Sequence, residues 1–183
     1  MTLSILIPTM QKRSAMLANL MSILQPQLTD EVEVLTDIGE GTTGNKRNKL
    51  IQKATGKYIV AIDDDDEVSD NYISEILKAA QQDKDCIVFS GWMTTNGENR
   101  RDFHLSINHP YTAVTRNNKV EYLRYPNHIT PIKRELVKDI GFENRTIGED
   151  YAWATKIHDL GILKSEVRIH KFIYHYKFIT NKP

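Results

Sequence analysis

Apolar residues follow two alternating patterns through the first half of the chain. Continuous runs of β-favouring residues are typical of buried strands, and apolar residues recurring every three or four positions are typical of helices. Strands are predicted at 3–7, 31–35, 58–62 and 86–93, and helices at 15–24, 46–54 and 72–80. Strand and helix therefore alternate three times, which predicts an α/β fold with a mostly parallel central sheet flanked by helices.

The second half of the chain is less regular. Residues 96–127 are polar, Arg-rich and aromatic without a sustained period, which indicates loops and short edge strands. Helices are predicted near 133–140 and 149–160, and a last strand over 167–179. Because no linker or repeat interrupts the sequence, the 183 residues are expected to form a single domain.

Composition limits the kinds of binding partner and the cellular compartment that are expected. Lys plus Arg and Asp plus Glu both number 24, so no overall field favours a polyanionic partner. The single cysteine, Cys86, lies in a predicted core strand, where packing is the expected role. One cysteine excludes an intramolecular disulfide framework and fits a reducing cytoplasm, which is the predicted location. The apolar start is too short for a membrane span.

Four consecutive aspartates follow the third predicted strand. Asp63, Asp64, Asp65 and Asp66 repel one another, so a cation between them would stabilise the folded chain. Mg²⁺ and Mn²⁺ prefer oxygen ligands, and ligands of open α/β sheets bind beyond the carboxyl ends of strands. The sequence therefore predicts a divalent-metal site here, with a solvated acidic loop as the alternative.

Two further features are expected at the same edge of the sheet. Lys46 and Arg47 begin a predicted helix, where Thr43 or Asn45 could provide the cap and Gly56 the end. Cations at a helix N-terminus favour an anion such as a diphosphate, although a solvated basic face is the alternative. Asp37 ends the second strand and could accept from a base N–H or a ribose hydroxyl, unless it only forms the turn.

A second acidic pair opens a later helix. Glu149 and Asp150 suit a helix start through capping alone, but beside a metal site one of them could act as general base. His175 lies on the last predicted strand, and this position does not favour a metal ligand over a structural histidine. The remaining candidates show no spacing typical of a metal site: His104, His109, His128 and His158.

Taken together, these stretches resemble the family 2 glycosyltransferases of the GT-A fold. The similarity rests on five motifs in the right order. They are Ser4-Ile5-Leu6-Ile7-Pro8-Thr9 with Arg13, Ser22-Ile23-Leu24-Gln25-Pro26-Gln27, Lys46-Arg47-Asn48 with Ala54-Thr55-Gly56-Lys57-Tyr58-Ile59, the aspartates as a DxD motif, and Gly148-Glu149-Asp150. Asp37 also falls where the family has an aspartate against the nucleotide base.

The resemblance implies a role for each matching residue. Residues 1–95 would bind the nucleotide sugar, and residues 96–183 the acceptor, including the segment 127–131. Asp150 matches the catalytic base of inverting members, with Glu149 beside it. Asp65 would be the main metal ligand, although the match to the motif can shift by one residue within the four aspartates. Asp63 and His175 would be further ligands. The nucleotide-sugar site would comprise Pro8, Thr9, Arg13, Asp37, Lys46, Arg47, Asp63 and Asp64.

The function implied is a metal-dependent inverting glycosyltransferase. It would use Mn²⁺ or Mg²⁺ and a nucleotide-diphosphate sugar, with a UDP-sugar as the family default. The acceptor stays open among a glycan, a lipid-linked sugar, a protein and a modified nucleic-acid base, the last because the chain also resembles small phage-encoded members. A nucleotidyltransferase or a non-catalytic nucleotide- or cation-binding module are the alternatives.

Overall fold

The central sheet contains every strand in the part of the chain that the structure describes. A computed structural model describes residues 1–180. The strands are β1 Leu3–Pro8, β2 Val32–Asp37, β3 Tyr58–Ala61, β4 Glu67–Val68, β5 Cys86–Thr95, β6 Glu98–Leu105, β7 Thr112–Arg116, β8 Lys119–Arg124, β9 Ile132–Lys133 and β10 Glu166–Phe178. The helices are α1 Ser14–Leu24, α2 Thr43–Lys53, α3 Tyr72–Ala80, α4 Arg134–Val137 and α5 Glu149–Asp159.

Parallel pairing dominates the middle of the sheet. Strand order is β2-β1-β3-β9-β5-β6-β8-β7, and β10 pairs with β5 and β4. The pairs β2-β1, β1-β3 and β5-β10 are parallel, while the short β9 runs antiparallel between β3 and β5. Parallel register places Pro8 beside Asp37 and Leu6 beside Ala61. The carboxyl ends of β1, β2 and β3 therefore meet at one edge, and the predicted α/β fold is confirmed.

The core forms where the apolar runs predicted it. All residues of β1 and β3 are buried, as expected for parallel strands covered on both faces. The amphipathic α3 has the predicted bounds and buries Tyr72, Ile73 and Ile76 against the sheet. Cys86 is buried without a disulfide, and burial raises the pKa of its thiol, which fits a packing role.

The ends of α2 differ from the prediction. Thr42, rather than Thr43 or Asn45, caps the helix because its backbone is extended and its Oγ1 accepts from the Asn45 N–H at 3.2 Å. The helix ends at Lys53, before Gly56. Gly56 is instead required by a close approach to β1, since a Cβ there would lie 2.5 Å from the Ser4 Oγ.

Residues 96–127 are more ordered than the sequence suggested. They form β6, β7 and β8, which extend the sheet, so more of this segment pairs as strands than was predicted, while the five-residue β7 is a short edge strand as expected. Their exposed faces carry charged residues, which hides the apolar alternation. Asn117 and Asn118 both take positive φ and make the tight β7–β8 turn.

Two smaller points complete the fold. The helix predicted near 133–140 is limited to the four residues of α4, because Ile132 and Lys133 pair as β9. Over residues 1–180, none of the helices has the length and apolar content needed to cross a membrane.

Candidate functional site

The aspartates form the turn between β3 and β4. Asp64, Asp65 and Asp66 are 1%, 5% and 2% exposed, so they are not a solvated loop. The Asp63 side chain is 27% exposed and faces a cavity. Burial of carboxylates at this density requires partners for their charge.

Arg13 holds two of these carboxylates. Its Nη2 lies 2.7 Å from Asp64 and 2.8 Å from Asp65. The Thr9 hydroxyl also donates to Asp64 at 2.5 Å. Burial raises the pKa of Asp64, and these partners oppose the rise without reversing it. Residues just after β1 and the aspartates after β3 therefore form one contiguous cluster.

Arg47 joins the two halves of the chain. The buried guanidinium donates to Asp63 at 2.7 Å and to Glu149 at 2.5 Å, and it lies over the Phe142 ring. Burial alone would raise the pKa of Asp63, but Arg47 and His128 lower it well below its ordinary value. Burial raises the pKa of Glu149 against the opposing effect of Arg47. Arg47 and Glu149 thus fix the start of α5 against the aspartate turn.

His128 lies between the aspartate turn and Asp150. Its Nε2 is 3.7 Å from Asp63, and its Nδ1 is 3.6 Å from Asp150. The ring is buried, and neither nitrogen makes a hydrogen bond to another described residue. Sequence spacing did not find this residue, because its position depends on a backbone contact in which its carbonyl accepts from the Ala61 N–H at 2.8 Å.

The remaining predicted nucleotide-site residues surround the end of β1. Lys46 is buried, and its Nζ donates to the Thr9 carbonyl at 2.5 Å. Pro8 ends β1, and Asp37 accepts from the Gly39 N–H at 2.9 Å, as the turn alternative required. A cavity of about 420 Å³ lies here, lined by residues 10–12, 38–41 and Lys46. The structure therefore places a cavity beside these residues.

Asp66 and His175 have other surroundings. The Tyr174 hydroxyl and the Lys177 N–H donate to Asp66 at 2.7 and 2.8 Å, so this aspartate ties the turn to β10. His175 places Nε2 2.8 Å from the Thr94 Oγ1 and Nδ1 3.4 Å from Glu67. His175 is thus not brought together with Asp63 and Asp65.

The carboxylates fit a hard divalent cation only in part. Within residues 1–180, no three His, Cys, Asp or Glu side chains are grouped closely enough to hold a metal ion by themselves. Mg²⁺, however, is commonly bound by one or two carboxylates together with substrate phosphates. Asp63 and Asp65 are ligands of this type, but Asp63 pairs with Arg47 and lines a cavity that also contains Asp150, whereas Asp65 pairs with Arg13 and lines a separate cavity with Asp64 and Asp66. Each carboxylate thus offers an oxygen ligand to a cation that substrate oxygens would complete.

A second cavity opens beside Asp150. It has a volume of about 220 Å³, and Asp63, His128 and Asp150 are among the residues that line it. The Asp150 side chain is 38% exposed, while Glu149 is 5% exposed and paired with Arg47. Of the two acidic residues that begin α5, Asp150 is therefore the one that a bound molecule can reach.

Several solved structures share the fold of this chain. S. aureus TarS 1-349 in complex with UDP has a TM-score of 0.73 and 18% identity, covering 97% of this chain and 60% of that one. S. aureus TarS 1-349 in complex with UDP-GlcNAc has a TM-score of 0.72 and 16% identity, covering 100% and 60%. The chain thus has the GT-A glycosyltransferase fold and spans less than two thirds of these similar proteins.

The sequence itself identifies the family. The profile of Glycosyl transferase family 2 matches residues 22–141, which is more than half of the chain. The protein therefore belongs to glycosyl transferase family 2, as its motifs predicted. A comparison with curated proteins finds no significant match.

Proposed function

We propose that this protein transfers a sugar from a nucleotide-diphosphate donor to an acceptor hydroxyl, with inversion at the anomeric carbon. The observation that carries the proposal is the cavity in which Asp150 and Asp63 lie together, one from each half of the chain. A carboxylate that is reachable and close to a donor-side aspartate can act as general base on an acceptor hydroxyl. Residues 1–95 would bind the donor and residues 96–183 the acceptor.

The donor proposed is a UDP-sugar. Support comes from the fold shared with proteins solved with UDP and UDP-GlcNAc, and from the cavity beside Asp37 and Lys46. Mn²⁺ or Mg²⁺, held by Asp65 and Asp63, would neutralise charge that develops on the leaving diphosphate. Arg13 pairs with Asp64 and Asp65 and adds a fixed positive charge beside Asp65.

Some residues of the site would contact the substrate, and others would position the residues that do. Asp150 would accept the hydroxyl proton as the acceptor oxygen attacks from the face opposite the leaving group. Arg47 and Glu149 are buried in a mutual ion pair, so we assign them positioning of Asp63 and Asp150 rather than substrate contact. A cytoplasmic location stays a prediction that rests on the single cysteine.

The proposal is tested by Asp150→Asn. Removing the base should reduce sugar transfer by at least about a hundredfold, within the usual range for general-base catalysis, while UDP affinity stays within about twofold. Transfer is measured as UDP release, and affinity by isothermal titration calorimetry.

Asp159→Asn is the matched control, because Asp159 is exposed at the other end of α5. This variant should retain both the sugar transfer and the UDP affinity of the wild type. Full transfer by Asp150→Asn would overturn the role of Asp150, and absence of nucleotide binding by the wild type would overturn the proposed donor site.

A further inference from the structure

The cavity beside Asp150 has an uneven distribution of charge. Asp63 and Asp150 are acidic, and the one Lys or Arg among the described residues that line the cavity is Arg124, at the end of β8. An anionic group entering the cavity is therefore repelled by the exposed Asp150 carboxylate and attracted by this guanidinium, whereas the charge of Asp63 is already paired with Arg47. An anionic molecule with a hydroxyl would thus be oriented with its charged group at Arg124 rather than at Asp150.

Arg124 is held rigidly without a carboxylate partner. Its guanidinium carbon lies 4.0 Å from the Tyr111 ring centroid and 4.6 Å from that of Tyr122. Its Nη1 donates to the Thr112 carbonyl at 2.6 Å and to the Leu123 carbonyl at 2.8 Å. Within residues 1–180, no Asp or Glu oxygen lies within 4.0 Å of it, so its positive charge is not neutralised by an ion pair.

The cavity walls suit a sugar ring. Tyr111, Tyr122 and Tyr176 line it, together with Phe103 and Met93. Aromatic rings provide flat apolar faces with polar edges, and pockets of this kind bind small molecules through such walls and a few placed polar groups. Tyr111 is further supported by an edge contact with Tyr151 at 4.9 Å.

We propose that the acceptor is a sugar that carries a carboxylate or phosphate group, and that Arg124 is the residue that selects it. The planar fork of Arg matches both anions with two parallel N–H donors. This inference rests on the proposed function, because it places the acceptor hydroxyl at Asp150. It adds the chemical class of the acceptor and the residue that determines specificity.

The test compares three probes that share a glucose-type ring and differ in the group at C6: glucose, glucuronate and glucose 6-phosphate. Their affinities are measured by ligand-observed NMR titration in the presence of UDP and Mg²⁺, because paramagnetic Mn²⁺ would broaden the ligand signals. The wild type should bind at least one anionic probe about ten- to a hundredfold more tightly than glucose, the factor expected for one charge-assisted hydrogen bond. The two anionic probes separate a carboxylate-bearing from a phosphate-bearing acceptor.

Variants at position 124 show whether Arg124 causes the preference. Arg124→Gln should abolish it, and Arg124→Lys should retain part of it, because Lys keeps the charge but loses the fork. The control is Arg116→Gln, which removes an exposed Arg from the neighbouring β7 that pairs with Glu121. Thermal melting and UDP affinity confirm that each variant is folded and retains its donor site.

Equal affinity of the wild type for glucose and both anions would overturn the inference. So would a preference that survives Arg124→Gln, or failure of both anionic probes to bind at any concentration up to their solubility limits. A wild type that binds no UDP would instead refute the proposed function, since the donor site is then absent.

Discussion

Arg47 is a buried cation that pairs with two carboxylates. Its guanidinium is shared between Asp63 and Glu149, at 2.7 and 2.5 Å. Removal of one partner from such a group leaves charge in a region that water cannot reach. The residue therefore supports the site through stability as well as through geometry.

Arg47→Met should destabilise the protein by about 3–5 kcal/mol, because two buried carboxylates lose their shared cation. The free energy of unfolding is measured by urea denaturation. Arg116→Met is the control, since the exposed Arg116–Glu121 pair should contribute at most about 1 kcal/mol. A loss for Arg47→Met no larger than that of the control would contradict the assigned role.

At the residue scale, the sequence identified candidate residues but not the contacts that they make. Asp63, Asp65 and Asp150 were recognisable because their positions follow strand ends and a helix start. His128 and Arg124 lie in segments that were assigned to the acceptor, but neither was singled out, since the contacts of each depend on packing between different segments of the chain. Spacing along one element carries no information about such contacts, and only the fold brings them together.

At the element scale, Glu33 fastens β2 to the segment between α2 and β3. Its carboxylate accepts from the Ser4 hydroxyl at 2.6 Å, and from the Thr55 N–H and hydroxyl at 2.6 and 2.9 Å. Partial burial raises the pKa of Glu33, but these hydrogen bonds outweigh it, and the net pKa is lowered. Protonation therefore weakens this connection.

The lowered pKa of Glu33 determines how its contribution to stability depends on pH. Because the pKa of Glu33 is lower in the folded than in the unfolded chain, its stabilisation is complete above its ordinary value of 4.5 and is lost as pH falls. Glu33→Gln should lower stability by about 1 kcal/mol at pH 7, with a difference from wild type that shrinks below about pH 4.

Urea denaturation of both proteins between about pH 7 and pH 3 measures this difference. The exposed Glu40→Gln serves as the control and should follow the wild type across the range. A difference between Glu33→Gln and wild type that stays constant with pH would show that the carboxylate is not the stabilising group.

The first turn of α2 approaches the segment before α5 very closely. The Gly44 N–H donates to the Arg145 carbonyl at 3.1 Å, and a Cβ at Gly44 would collide with the Glu143 carbonyl oxygen. The helix α2 carries Lys46 and Arg47, while the opposing segment leads to Asp150. The glycine thus sets the distance between the two halves of the site.

Gly44→Ala should push α2 away from residues 143–145, lowering stability by about 1–3 kcal/mol and sugar transfer by about a hundredfold. UDP release measures transfer, and urea denaturation measures stability. Gly141→Ala is the matched control, because its Cβ would meet Asn48 no closer than 3.7 Å. Wild-type transfer by Gly44→Ala would show that this contact does not control the site.

The elements themselves differed in how well they could be predicted. The buried β1, β3 and α3 were clear because burial on a whole face produces a strong apolar period. The strands β6 to β8 were not, since their outer faces are charged and their order depends on tertiary pairing. The walls of the cavity beside Asp150 come partly from this region.

At the scale of the whole molecule, the balanced charge and the contact between the donor-side and acceptor-side residues favour a small-molecule donor. The 24 basic and 24 acidic residues leave no net charge to attract a polyanion, so recognition depends on local groups. Binding to the folded state alone raises the melting temperature by mass action. A nucleotide panel therefore tests the proposed function without knowledge of the acceptor.

A UDP-sugar with Mn²⁺ at about a hundred times its dissociation constant should raise the melting temperature by roughly 5–10 °C, because about 2.7 kcal/mol is added to a chain of this size. Without Mn²⁺, or in Asp65→Ala, the shift should fall sharply, since the cation and the diphosphate bind together. Asp30→Ala, at an exposed position outside the aspartate turn, should keep the full shift. Shifts produced only by nucleoside triphosphates would favour a nucleotidyltransferase, and an equal shift with and without Mn²⁺ would refute the metal dependence while leaving the donor class intact.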